Sequence, residues 1–384
     1  MQKNERIRLF VQEIWAWYGR HKRILPWRDL TDADPTERAY KVLVSEIMLQ
    51  QTQVPRVIII YKNFLERFPT LHDLAEASNR EVLIAWRGMG YNSRALRLRD
   101  AAKVIVESEK LKVKNDEIFP TAMEEWMAIP GIGHYTAAAI RNFAFGIPTP
   151  CIDTNIRRIL HRTFVGPEKA DGAWERDDEY LLKIAGEVLN EALRQKIQST
   201  KSETNKNFRS SNFSLVSNFR ICVSTTADWH AALMDFGSLV QTKKNPRWNV
   251  CPLTEKNIMR TTRKSYELLA MSYEKNRSKL PSLWLPPSPS GFGRAGRAGS
   301  AHRSKLHEPG RQVGGRFVPN RIFRGRVIEA LRDAPRGLTL HDIGKRITRD
   351  WNPEEHREWL RRILKELQEE KFLDLRATRY ALAE

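Results

Sequence analysis

The stretch from Ala128 to Leu160, AIPGIGHYTAAAIRNFAFGIPTPCIDTNIRRIL, constrains the fold more than any other part of the chain. It opens on a Gly-x-Gly turn, Gly131 to Gly133, which asks for backbone angles that glycine takes cheaply. An alanine-rich run, Thr136 to Phe145, follows at once and reads as a helix. The amides of the turn and of the first helical turn then point outward and can hold a phosphate. Pro148 and Pro150 stop that helix and leave Cys151-Ile152-Asp153 in a connecting loop. Asp153 stands just before a second helix, Asn155 to Arg162, where spacing alone makes it an N-cap.

Helical spacing of apolar residues surrounds this stretch. Ile7, Phe10, Val11, Ile14, Trp15 and Tyr18 mark an amphipathic helix, and Leu25-Pro26-Trp27-Arg28 follows it. Thr36 to Leu49 forms a second helix on Tyr40, Leu43, Val44 and Ile47, with Glu46 off the stripe. A glutamate there is ordinarily a solvated charge, but the uncharged run Gln50-Gln51-Thr52-Gln53 at the helix end is an unusual choice for a solvated face. Further helices are expected at Pro55 to Phe68, Leu71 to Ala77, Arg80 to Trp86, Ser93 to Ser108, Thr121 to Ala128 and Trp174 to Gln195. Between two of them Gly88-Met89-Gly90-Tyr91 presents an aromatic on a glycine turn, either as a packed anchor or as a probe. No convincing strand alternation precedes residue 260, so this part reads as an all-α bundle.

The stretch Gln198 to Ser224 is polar, with Asn-Phe pairs among basic residues, and reads as a mobile insertion. Trp229 to Gly237 reads as a helix ended by its glycine. After a helical remnant from 261, the run from Pro281 to Pro319, rich in Pro, Gly, Ser and Arg, reads as a flexible basic linker. Residues 320–384 look like an independent small domain: three helices (Arg321 to Arg332, Leu340 to Ile347, Pro353 to Glu370), then short strands at Phe372 to Leu375 and Tyr380 to Leu382. That order suits a winged helix-turn-helix. Such modules bind DNA through the third helix, and others serve as protein contacts. Glu354, Glu355, Glu358, Glu366, Glu369 and Glu370 on that helix leave both roles open.

Lys and Arg number 65 against 46 Asp and Glu, a net charge of +19, which points to a polyanionic partner, nucleic acid before an anionic membrane. No apolar run is long enough to span a bilayer, and the charged start MQKNERIRLF does not suit a signal peptide. The expectation is a soluble, non-secreted protein. Cys151, Cys222 and Cys251 are widely spaced and odd in number, which argues against a disulfide framework.

Taken together, LPWR, SEIMLQQTQV, GMGY, IPGIGHYTAAAI and IDTNIRRIL, in that order over roughly residues 5 to 260, closely resemble the helix-hairpin-helix DNA glycosylases, specifically the MutY-type adenine glycosylases. The resemblance implies a two-lobed all-α glycosylase domain over 1–260, with 198–224 inserted; beyond it the residues themselves read as a helical remnant and linker over 261–319 and a winged-helix-like domain over 320–384. It also implies roles. Gln51 and Tyr91 match the residues that intercalate where a base is flipped out of the duplex. The Pro130 to Gly133 hairpin, with Gly131, Gly133 and His134, would grip a backbone phosphate, and in the family a monovalent cation often sits there. Glu46 corresponds to the acid that protonates N7 of the purine, and Asp153 to the carboxylate beside the oxocarbenium-like sugar. Tyr135 and Asn155 match residues that hold these carboxylates and the water. The related lyases carry at Tyr135 a lysine that forms a Schiff base, so base removal with little strand cleavage is expected.

Two departures stand out. The family's [4Fe-4S] loop, Cys-x6-Cys-x2-Cys-x5-Cys, aligns here with Gln241, Trp248, Cys251 and Asn257, and one thiolate cannot carry the cluster. A cluster-free member is expected, with Trp248 and its neighbours packing the loop and Lys243, Lys244 and Arg247 still facing phosphate. The family's C-terminal domain that inspects 8-oxoguanine is not recognisable, and the winged-helix-like module stands in its place. The leading expectation is a bacterial cytoplasmic, DNA-associated monomer, without cofactor or resident metal, that removes adenine mispaired with 8-oxoguanine or guanine. Its partner is duplex DNA, with the C-terminal domain open to a protein. A mismatch thymine or uracil glycosylase of the same fold, and a DNA-binding protein with a decayed site, are the alternatives; Glu46 favours the purine reading, because N7 protonation serves only a purine.

Overall fold

The structure, a computed structural model, describes residues 1–28, 30, 34–111, 119–169, 173–207, 215–268 and 309–384. It falls into two compact units: Met1–Val42, Thr121–Met127 and Ile132–Gly296 form one, and Leu43–Pro120, Ala128–Gly131 and Arg297–Glu384 the other.

The first unit is built on α1 (Lys3–His21), α8 (His134–Ala144), α9 (Thr154–Leu160), α10 (Asp178–Asn207), α11 (Leu215–Leu239) and α12 (Pro252–Glu255). The apolar stripe read on α1 is the reason it sits inside: Ile7, Phe10, Val11 and Ile14 enter one core with Ile156, Ile159, Leu181, Val188, Trp229 and Phe236. There α1 packs on α10 and α11, and α11 packs on α8 and α9. A single π-helical turn, His161–Val165, continues α9.

The second unit takes the end of α2 (Pro35–Leu49) and the helices α3 (Val54–Arg67), α4 (Leu71–Glu76), α5 (Asn79–Ala85) and α6 (Ser93–Leu111). Capping boxes start the two short helices, Thr70 with Asp73 on α4 and Ser78 with Glu81 on α5. Both pack on α6, around Phe64 and the fully buried Trp86, which meet edge to face at 5.9 Å. The short α7 (Met123–Ala128) leads to the hairpin.

The C-terminal part of the second unit has the winged-helix order. A β1 (Gly310–Val313) and β2 (Arg316–Pro319) hairpin precedes α14 (Asn320–Arg332), β3 (Leu338–Thr339), α15 (Leu340–Ile347), α16 (Pro353–Glu369), β4 (Leu373–Arg376) and β5 (Arg379–Leu382). Strands β3, β5 and β4 form an antiparallel sheet with β5 central, Leu338 opposite Tyr380 and Leu373 opposite Leu382. Phe323, Val327, Leu331, Ile343, Leu360 and Leu364 fill its core. One further helix, α13, covers 263–268.

Three sequence expectations change. Within the stretch read as a mobile insertion, 198–207 continues α10 and 215–224 begins α11, while 208–214 lies outside the described residues; a helix already formed extends more easily than a new one starts. Residues 281–308 of the expected linker lie outside the described residues, and 310–319, read as part of it, pairs as the β1–β2 hairpin. Gly237 does not end its helix, which runs on to Leu239.

Candidate active site and DNA interface

Asp153 is the N-cap of α9, and both oxygens of its carboxylate accept hydrogen bonds there. Its Oδ1 accepts from the backbone N–H of Asn155 (2.9 Å) and of Ile156 (2.6 Å), and Oδ2 accepts from Asn155 Nδ2 (2.8 Å). The N-cap reading of this residue holds, and the cap bonds fix the direction of its carboxylate. Burial pushes its carboxyl above the usual carboxylate range, against the pull of these hydrogen bonds and of Arg158.

Asn155 is itself held from behind. Its Oδ1 accepts from Arg158 at 2.7 Å, and the same guanidinium donates to Gly237 O (2.7 Å), Thr154 O (3.2 Å) and Gln241 O. Burial, then the neighbouring Arg162, push the Arg158 side chain down to about 10. Gly237 lets α11 come this close, since a Cβ there would lie 2.7 Å from Asn155 Cβ and 3.1 Å from Ile159 Cδ1. Within IDTNIRRIL the motif assigns Arg158 no role, and the one local signal is its place three residues after Asn155 on the same helix face.

Tyr135 lies in the first turn of α8, partly buried against the first unit's core. His134 is exposed at the helix start. Of the two hairpin glycines Gly131 alone has a left-handed backbone, φ 91°, with Arg97 Cβ 3.4 Å from where its own Cβ would be. Gly133 has φ −94°, which any residue adopts, and nothing lies within 4 Å of its would-be Cβ. The expectation that both need glycine's backbone is thus corrected: Gly133 leaves open space at an uncapped helix N-terminus, which is what an approaching phosphate requires.

Glu46 belongs to the second unit and is only 7% exposed, so it is not the solvated surface charge its helix position first suggests. Gln51 and Tyr91 share an unusual property. Both are non-glycine residues with left-handed backbones, φ 56° and 45°, a conformation that costs about 1–2 kcal/mol. Tyr91 is 61% exposed, a presented ring rather than a packed anchor. Arg94 joins the two loops. Its buried guanidinium donates to Ile47 O (2.9 Å), Met48 O (2.9 Å) and Gln50 O at the end of α2, and to Thr52 Oγ1 (2.9 Å). On the other side it donates to Met89 O and Gly90 O, both at 3.3 Å. Burial pushes this side chain down to about 10. The charge is held in place by carbonyls that α2 and the glycine turn leave without backbone partners. Strain at Gln51 and Tyr91 is thus over-determined by one arginine that the sequence could not single out.

LPWR has a structural role. Arg28 donates two hydrogen bonds to the fully buried Asp235 at 2.7 and 2.8 Å, and Arg23 adds another at 2.7 Å.

At the loop that aligns with the iron-sulfur ligands, Gln241 Nε2 donates to Cys251 Sγ at 3.3 Å, and Cys251 Sγ lies 3.9 Å from Met259 Sδ. An amide, a thioether and one thiol fill this site, and the donor set does not fit a [4Fe-4S] cluster. No group of His, Cys, Asp and Glu suited to a metal ion occurs among the described residues. Trp248 packs edge-on against Tyr266, centroids 5.7 Å apart, and Arg162 lies 5.0 Å from the Tyr266 ring. Arg162 also donates to Gln241 Oε1 (3.2 Å) and Thr242 O (3.0 Å). Lys243, Lys244 and Arg247 are exposed, and the carbonyls of both lysines accept from Tyr266 Oη at 2.7 and 3.0 Å. No helix among the described residues is long and apolar enough to cross a membrane.

Residues 44–183 match the HhH-GPD superfamily of base excision DNA repair proteins. The adenine DNA glycosylase of Mycolicibacterium smegmatis is 33% identical over 242 residues, 63% of this chain and 67% of that protein. The mouse adenine DNA glycosylase is 42% identical over 246 residues, 64% of this chain but 40% of the longer mouse protein. A solved thermostable thymine-DNA glycosylase superposes with a TM-score of 0.46 at 21% identity, covering 69% of this chain and 98% of that one. Identity of 33% over two thirds of the Mycolicibacterium smegmatis protein places the chain in the adenine DNA glycosylase family of the HhH-GPD superfamily.

Proposed function

We propose that the chain hydrolyses the N-glycosidic bond of adenine mispaired with 8-oxoguanine or guanine in duplex DNA, with little strand cleavage. The observation that carries this reading is the carboxylate of Asp153, capped onto α9 and tied to Asn155, in the same motif stretch as the uncapped N-terminus of α8. A negative charge fixed before the reaction lowers the barrier to an oxocarbenium-like sugar without reorganising at that moment. Glu46, only 7% exposed, is the carboxylic acid assigned to protonate N7. Tyr135 has no amine, so no Schiff base forms on it. Gln51 and Tyr91 serve as the pair that enters the stack when the base leaves it. Hairpin amides, with Lys243 and Lys244, supply phosphate contacts. The reading is of a member that works without an iron-sulfur cluster.

The test is single-turnover base release and alkali-sensitive site formation on duplexes with A opposite 8-oxoguanine, A opposite G, T opposite G and A opposite T. Release of adenine from the first two, abolished by Asp153→Asn, is expected. Release of thymine alone would assign the site to a pyrimidine mismatch instead, and tight binding without release would mark a DNA-binding remnant.

A further inference from the structure

The C-terminal module is not only tethered to the helices that carry Tyr91; it reaches into their wedge loop. Arg332, in the last turn of α14 and 7% exposed, points out of its own module. Its Nε donates to Leu83 O at 2.9 Å, one of the carbonyls that the end of α5 leaves without a helical partner. One terminal nitrogen donates to Asn92 Oδ1 at 3.0 Å, and the other to Glu329. Around it Arg87 pairs with Asp333 (2.6 Å) and Glu329 (3.0 Å), and buried Asn79 donates to Lys371 O at 2.8 Å. Asn92 is the residue immediately after Tyr91.

We propose that Arg332 is a positioning residue for the Tyr91 wedge, so that the winged-helix-like module acts as a brace of base extrusion. The inference rests on the adenine-excision reading above. A ring driven between stacked bases is pushed back by the stack, and Tyr91 sits on a left-handed backbone that relaxes if the loop is free to rotate. Arg94 holds the loop from inside, at Met89 O and Gly90 O. Arg332 holds it from the far side, at Asn92. Burying a guanidinium is costly, and burial pushes the Arg332 side chain below its usual value. The fold of the module does not need that cost, since its own core is closed by Phe323, Val327, Leu331, Ile343 and Leu364. The two carbonyl-type acceptors that receive Arg332 both lie on the wedge side.

The test uses the full chain in an Asp153→Asn background, which extrudes without excising, and a duplex with 2-aminopurine opposite 8-oxoguanine. Fluorescence rise at saturating protein reads unstacking, and thermal unfolding is followed separately. Arg332→Ala and Asn92→Ala are each expected to cut the rise at least five-fold. The double variant should be no worse than the poorer single one, because both remove the same bond. Arg332→Lys, which keeps the charge but not the fork, should not restore it. A rise that survives in Arg332→Ala and Asn92→Ala, whatever their unfolding temperatures, overturns the inference and leaves the proposed function standing. No rise with the intact module overturns both. Should Arg332→Ala fail to fold, Asn92→Ala, on a partly exposed loop, decides by the same criterion.

Discussion

Gly237 faces Asn155 so closely that a Cβ built on it would lie 2.7 Å from the asparagine's own Cβ. One hydrogen at this point of α11 therefore sets where α9, and with it the Asp153 cap, can rest. Gly237→Ala should push the two helices apart, cost about 1–3 kcal/mol in unfolding free energy, and slow single-turnover adenine release more than ten-fold. Denaturant titration and base-release kinetics on one preparation check both. Normal release in a destabilised variant would separate the packing from the site.

Asp153→Asn keeps an N-cap side chain, since asparagine caps as well as aspartate. Adenine release should fall by at least about 100-fold while the fold is retained. Stability should rise at neutral pH. Burial holds the folded carboxyl above its unfolded value, so the ionised residue subtracts stability above the folded pKa, and the penalty fades as pH falls through it. The gap between variant and wild-type unfolding temperatures should therefore shrink on acidification. A gap that widens would contradict this.

The Arg28, Arg23 and Asp235 cluster predicts the opposite pH behaviour. Burial pushes the Asp235 carboxyl up, but hydrogen bonds and charge from Arg28, then Arg23, outweigh it and hold the group below the usual carboxylate range. Its folded value lies below the unfolded one of about 3.9, so its stabilisation is complete above about pH 4 and is lost as pH falls through the folded value. Asp235→Asn should lose about 3–5 kcal/mol at neutral pH by leaving buried Arg28 without its charge partner. It should also lack part of the wild-type acid destabilisation, read from unfolding curves between neutral pH and pH about 3.

Gln51→Gly and Tyr91→Gly test the strained pair directly. Each removes a left-handed non-glycine backbone, so thermal stability should hold or rise by up to about 1 kcal/mol. On the proposed function, in which these two side chains fill the vacated stack, excision from A opposite 8-oxoguanine should nevertheless fall about ten-fold or more. Loss of stability with intact excision would reverse the assignment.

Cys251→Ser, and prolonged treatment with an iron chelator, should each leave adenine release within about two-fold of wild type, since the site is filled by Gln241, Cys251 and Met259. Iron analysis and visible absorption of the purified chain provide the direct check. Release that depends on added iron and sulfide would overturn the cluster-free reading.

Much of the architecture could be read before any coordinates. The stripes on α1 and α2 follow from local spacing, as does the α8 start at the hairpin, because burial on one face repeats every three to four residues. The winged-helix order was legible for the same reason, although the β1–β2 hairpin was hidden in a composition that resembles a linker. Glu46 and Tyr91 gave ambiguous signals. A surface glutamate and a buried one, or a packed tyrosine and a presented one, are the same letter until their neighbours are known.

What the sequence alone determined was the set of chemical groups and the helices that bear them: an acid at Glu46, a capping carboxylate at Asp153, a phenol at Tyr135, and too few thiols at the 241–257 loop. What only the tertiary structure decided was which distant groups hold these in place. Arg94 binds two loops, Arg158 binds Asn155 to α11, and Arg332 crosses from the last module to Asn92. A guanidinium's partners are carbonyls and side-chain oxygens up to 249 positions away. Nothing in the local pattern marks an arginine that will be buried, because its desolvation is offset by acceptors that only folding brings within reach.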